Sequence, residues 1–191
     1  VSSLVAYTIS DFFGYGIEIN MQLAVPEFAW LDIGRLVILS VCCALLSIIY
    51  IFAMDKIDAI FEKCFKGPFT MIFCGGLALI LLTLIFPSGN YNGSGMEVIF
   101  AALEGDADWW MFIVKIMFTA VTIGCGFKGG EIVPTFFIGA TMGCCVGQLI
   151  GLDPGFAAAI GLIATFCGVV NCPFASTILG VELFGAEGLI F

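Results

Sequence analysis

Apolar residues run along this chain in long blocks separated by short polar signals, and the lengths of the blocks predict its elements. From about Gly34 to Met54 roughly 20 residues are almost wholly apolar, which at about 1.5 Å per helical residue is enough to cross a hydrocarbon core of about 30 Å. Asp55-Lys56 closes this first span. An amphipathic tail with Lys63 and Lys66 follows, and Gly67-Pro68 then opens a second span that ends near Phe86. Gly75-Gly76 within it predicts close helix packing. Upstream, Val1 to Phe13 reads as the end of a helix, and the stretch through Gly14, Gly16, Asn20 and Pro26 reads as a connector.

Pro87 to Asp108 is polar by contrast, running through Ser88-Gly89-Asn90-Tyr91-Asn92-Gly93-Ser94-Gly95 to a short apolar piece and then Glu104, Asp106 and Asp108. It predicts an aqueous loop with a half-helix. Lysines cluster at the opposite end of the two spans, so the bias of basic residues toward the cytoplasm places the lysine end inside and the acidic loop outside. Trp109-Trp110 then reads either as an interfacial anchor or as packing, and Met111 to Ile123 returns across the membrane.

That return ends in Gly124-Cys125-Gly126-Phe127-Lys128-Gly129-Gly130-Glu131-Ile132-Val133-Pro134, a glycine-rich break that a lipid-facing helix would not contain. Irregular backbone at membrane depth persists only where protein or a watery cavity satisfies its N–H and C=O groups. Past the break, Pro134 to about Ile150, a helix capped by Asp153-Pro154 and running to about Val170, and a last one from Asn171-Cys172-Pro173 form three short pieces. Tilted, discontinuous helices of this kind build ion sites in transporters.

The chemistry expected at Gly129, Gly130, Glu131, Ile132 and Val133 follows from the start of the helix. Its first N–H groups have no internal partner, and the aligned peptide dipoles leave about +0.5 charge there, so an anion is the natural ligand. Two glycines let the backbone approach an ion, and Pro134 sits in the first turn, where its missing donor costs nothing. Spacing alone leaves a second reading open, in which the glycines serve tight packing.

Composition changes the picture mainly by exclusion. With 61% hydrophobic and 11% charged residues and a mean hydropathy of +1.16, this is a membrane chain. A formal net charge of −9 excludes a nucleic-acid partner, whose phosphates demand a basic surface. The nine cysteines lie mostly inside apolar runs and the chain has no histidine; the cysteines therefore read as small core residues, with no metal site and no cofactor expected. No basic, signal-like start precedes Val1, and the chain reads as an internal piece of a longer one.

Gly130-Glu131-Ile132-Val133-Pro134 with Thr135-Phe136-Phe137-Ile138-Gly139-Ala140 resembles the G-x-F-x-P element, and the helix after it, of the CLC family of voltage-gated chloride channels and anion/proton antiporters. Asn171-Cys172-Pro173 through Gly180-Val181-Glu182-Leu183 is similar to a later helix of that family. The resemblance covers most of the chain. It implies an all-α polytopic fold matching the second of two inverted halves, a homodimer with one anion pathway per subunit, and a central chloride or fluoride ion bound by the amides of Glu131 and Ile132. It also implies localisation in the plasma (inner) membrane of a prokaryote. Residues 1–33 are then the end of a first-half helix plus a connector, 34–128 the spanning helices and their loops, and 129–191 the anion-site helix and the short helices.

Departures from the pattern are informative. The aromatic is Ile132 here, which removes a ring from the pore lining, and the family's G-S-G-x-P and G-[K/R]-E-G-P elements and its later site tyrosine have no counterpart between Val1 and Phe191. An acid after the motif glycine is similar to the fluoride-exporting branch, although Val133 stands where that branch has Thr. Glu131 either carries a proton, as an anion/proton antiporter requires, or pairs as an ion with Lys128. Glu182 reads as an acceptor at a helix terminus, with a pathway-lining role as the alternative. Channel versus antiporter, and chloride versus fluoride, stay open. Of the rival classes, an intramembrane serine enzyme would need a base for Ser94, and the chain has no histidine; a non-transporting scaffold would use the glycines only for helix contacts.

Overall fold

The computed structural model describes residues 30–185, apart from Lys66, Ser88 and the side chains of Trp30 and Leu31, together with a few isolated positions near the N-terminus. The helix end and connector expected before Pro26 lie outside the described residues, as does Lys66. Among the described residues from Trp30 onward, seven helices follow one another: α1 (Trp30–Cys64), α2 (Pro68–Ile85), α3 (Met96–Leu103), α4 (Met111–Gly124), α5 (Ile132–Ile150), α6 (Pro154–Val170) and α7 (Pro173–Phe184). The described residues form no strand.

Three of the helices are long and apolar enough to cross a membrane: Asp32–Cys64, Pro68–Ile85 and Ile132–Ile150. The first differs from the expected span, because it does not stop at Met54 but runs unbroken through Asp55 and Lys56 to Cys64. Charge ends a hydrophobic span; it does not end a helix. Lys56 lies 5.2 Å from the centroid of the Phe52 ring one turn back, and the chain meets its first breakers only at Gly67-Pro68, where Pro68 takes the first helical position of α2.

At the heart of the molecule is the pair α5 and α6, which make the most extensive helix contact. Gly139, Gly143 and Gly147 repeat at intervals of four along α5 and face Ala157 and Gly161 of α6; a Cβ added to Gly161 would stand 2.8 Å from the Gly143 Cα. Small residues on both surfaces let the two backbones touch, which is how helices associate where lipid offers no hydrophobic driving force. On one side of this pair Tyr91, Ile99, Phe118 and Phe137 pack together. On the other, Leu39, Cys43, Leu46 and Tyr50 of α1 meet Ile138, Met142 and Phe156.

The short helices end as their sequences predict. The Asp153 carboxylate accepts from the Phe156 N–H at 2.9 Å, capping α6, and Asn171 turns the chain with φ 56° at its C-terminus. Trp109 and Trp110 are exposed, which favours the interfacial-anchor reading over packing.

Candidate anion site at the start of α5

Helix α4 ends at Gly124, and Gly126 turns the backbone with φ 90°, a conformation that glycine alone adopts freely. The chain then runs without helix to Glu131, which occupies the cap position of α5. The first helical bond is Thr135 N–H to the Glu131 carbonyl at 3.1 Å, doubled by the Thr135 hydroxyl, which donates to the same oxygen at 2.7 Å. The N–H groups of Gly129, Gly130, Glu131, Ile132 and Val133 donate to no protein acceptor among the described residues. A run of bare donors at the positive end of a 19-residue helix has the electrostatics of an anion cradle.

Packing does not explain the two glycines, because a Cβ built on Gly129 or Gly130 meets nothing within 4 Å. Gly75 is where packing does demand glycine: it is buried in α2 directly against the Cys125 side chain. Gly75 thus seats α2 on the residue that follows α4, while Gly76 faces the Phe127 ring within the break.

Glu131 is exposed on the chain's surface, and it forms no ion pair with Lys128; the single ion pair among the described residues joins Arg35 and Asp32 at 2.8 Å. Ile132 is exposed beside it, so neither side chain screens the amides. Glu182 stands exposed on the last turn of α7, and among the described residues no helix terminus donates a hydrogen bond to it, so the acceptor role expected for it has no partner there. The structure brings residues 129–133 together in one cradle and leaves Glu182 out of it.

Beside the cradle lies a cavity of about 520 Å³ whose walls include Gly129, Gly130, Val133 and Pro134 on one side and Asn92, Gly93 and Ser94 of the acidic loop on another. Lys115 also lines it. This lysine, 2% exposed, is a buried cation within the apolar span that runs from Met111 to Ile123. Its Nζ donates to the Gly93 carbonyl at 2.7 Å and the Tyr91 carbonyl at 3.1 Å, and lies 5.0 Å from the centroid of the Phe137 ring. The sequence signal was present: a lone lysine within an apolar helix is expensive in a membrane and marks a functional position by default.

Known proteins share the sequence pattern and the fold of this chain. The family model described as "Voltage gated chloride channel" matches residues 1–191. The chain is 31% identical over 169 residues to a chloride/fluoride channel protein of Pseudomonas syringae, covering 85% of this chain and 37% of that protein. It is 24% identical over 190 residues to the voltage-gated ClC-type chloride channel ClcB of Citrobacter koseri, covering 92% and 43%. Among solved structures it is similar to a CLC-type fluoride/proton antiporter, with a TM-score of 0.89 and 27% identity over 96% of this chain and 47% of that one. The chain therefore spans about two fifths of the length of these curated relatives.

Proposed function

We propose that this chain, which belongs to the voltage-gated chloride channel family, forms part of a pathway that carries chloride or a related halide across a membrane. The carrying observation is the set of unpaired amides at residues 129–133, at the positive end of α5 and beside a cavity lined by one cation and no carboxylate. Free N–H donors and a helix dipole hold an anion without the tight grip of a full countercharge, and transport requires an ion that binds and then leaves. The work is movement of an ion, not covalent catalysis. In this reading the protein is a homodimer of the prokaryotic plasma membrane.

A second reading, fluoride/proton exchange, is favoured by Glu131. A carboxylate stands at the cap of the proposed anion helix, with no cation partner among the described residues, and this placement supports a role in proton exchange. The solved relative is titled a fluoride/proton antiporter, which supports the same assignment. Flux from liposomes holding the full-length protein tests both readings. Chloride or fluoride efflux well above that of empty vesicles supports transport, and opposed proton movement supports exchange; efflux equal to that of empty vesicles overturns the proposal.

A further inference from the structure

Lys115 is the one charged residue among those that line the 520 Å³ cavity. No carboxylate among the described residues pairs with it. Its ammonium is held by the Gly93 and Tyr91 carbonyls and the face of Phe137, which are dipoles and a quadrupole that stabilise a cation without cancelling its charge. An unneutralised positive charge therefore stands in the wall of a cavity that extends from Ser94 to Gly130.

The placement has two consequences. First, the lysine ties the backbone of the acidic loop to α4 and, through Phe137, to α5, so the Asn92–Ser94 wall and the Gly129–Gly130 wall share one anchor. Second, the segment before α4 carries Glu97, Glu104, Asp106 and Asp108, none of which lines the cavity, and the buried cation one turn into α4 gives the cavity wall the opposite sign of charge. The cavity lining runs along α4 from Lys115 to Ile123, about 12 Å at 1.5 Å per residue. Lys115 and Gly129–Gly130 line the same cavity, so the field of the ammonium acts across it, through a low-dielectric wall, on an ion at the start of α5.

We propose that Lys115 is a specificity and positioning residue of the anion route: it clamps the outer loop at the cavity wall and supplies the positive charge that draws anions toward the start of α5. The proposal rests on the transport reading above. It predicts that Lys115 sets the apparent affinity for the anion more than the maximal rate.

The test is anion flux against anion concentration in liposomes holding the full-length protein. Lys115→Met and Lys115→Gln should raise the apparent KM about tenfold while the maximal rate stays within about twofold, and Lys115→Arg should restore the KM. Ser94→Asp provides a second route, because Ser94 is exposed and a carboxylate there opposes the ammonium without removing it; its KM should rise as well. A wild-type KM in Lys115→Gln or Ser94→Asp overturns the role of the charge. If both Lys115→Met and Lys115→Gln fail to fold, Ser94→Asp decides alone. Absence of flux in the unmutated protein would instead sink the transport reading itself, so the two failures are distinguishable.

Discussion

Gly75 lies so close to Cys125 that a Cβ on the glycine would overlap the Cys125 Cβ and Sγ. This single contact joins α2 to the residue where α4 gives way to the glycine-rich break. Helix α2 is otherwise poorly buried, and its packing among the described helices is chiefly on α4. Gly75→Ala should therefore cost about 1–3 kcal/mol through overpacking, read as a lower midpoint in thermal unfolding of the protein in detergent. Cys125→Gly in the same chain should recover part of the loss, since it removes the atoms that clash. An unchanged midpoint for Gly75→Ala would show that the contact has room to spare.

The interface of α5 and α6 makes a stronger demand. Gly161 faces the Gly139 carbonyl and the Gly143 Cα, and each of these glycines in turn faces α6 backbone. A bulkier residue has nowhere to go without parting the helices. Gly161→Val should destabilise by about 3 kcal/mol or more, with flux falling in step with the amount of folded protein. A Val variant that unfolds at the wild-type temperature would contradict the close approach.

How much of this was legible in the sequence differs from element to element, for physical reasons. The break at Gly124 to Pro134 was legible because glycine, charge and proline have no place in a lipid-facing run, and α5 does begin there, at Ile132. The end of α1 was not, because Asp55-Lys56 marks where a chain leaves hydrocarbon, whereas helix geometry continues for as long as no residue interrupts it. Lys115 was missed since its neighbours are so apolar that the segment scores as membrane regardless. The hydrogen bonds to Tyr91 and Gly93 that make it tolerable join residues more than twenty positions apart, and no local pattern encodes such a pairing.

Glu131 allows a test of proton coupling that leaves the shape of the cradle intact. Gln has the same size and cannot ionise, and the side chain makes no ion pair that the change would break. Glu131→Gln should cut proton movement per anion about tenfold or more while anion flux persists, measured by recording both fluxes in the same vesicles. The reason is that a proton carrier must cycle between charged and neutral forms, which the amide of Gln cannot do. Unaltered stoichiometry and anion preference in the Gln variant would remove Glu131 from the mechanism.

Gly130 separates function from folding cleanly. Its neighbourhood holds no atom within 4 Å of an added Cβ, and its φ lies outside the left-handed region, so alanine fits the described fold without strain. Stability of Gly130→Ala should stay within about 0.5 kcal/mol of wild type, as for a surface change that touches nothing. If an anion sits on the amides of residues 129–133, however, the new methyl group stands in its approach, and the apparent affinity should fall several-fold. Unfolding and flux measured on the same preparation decide the matter. A Gly130→Ala protein with wild-type stability and wild-type anion affinity would mean that the bare amides at the start of α5 hold no ion, whereas a loss of affinity at constant stability places the ion there.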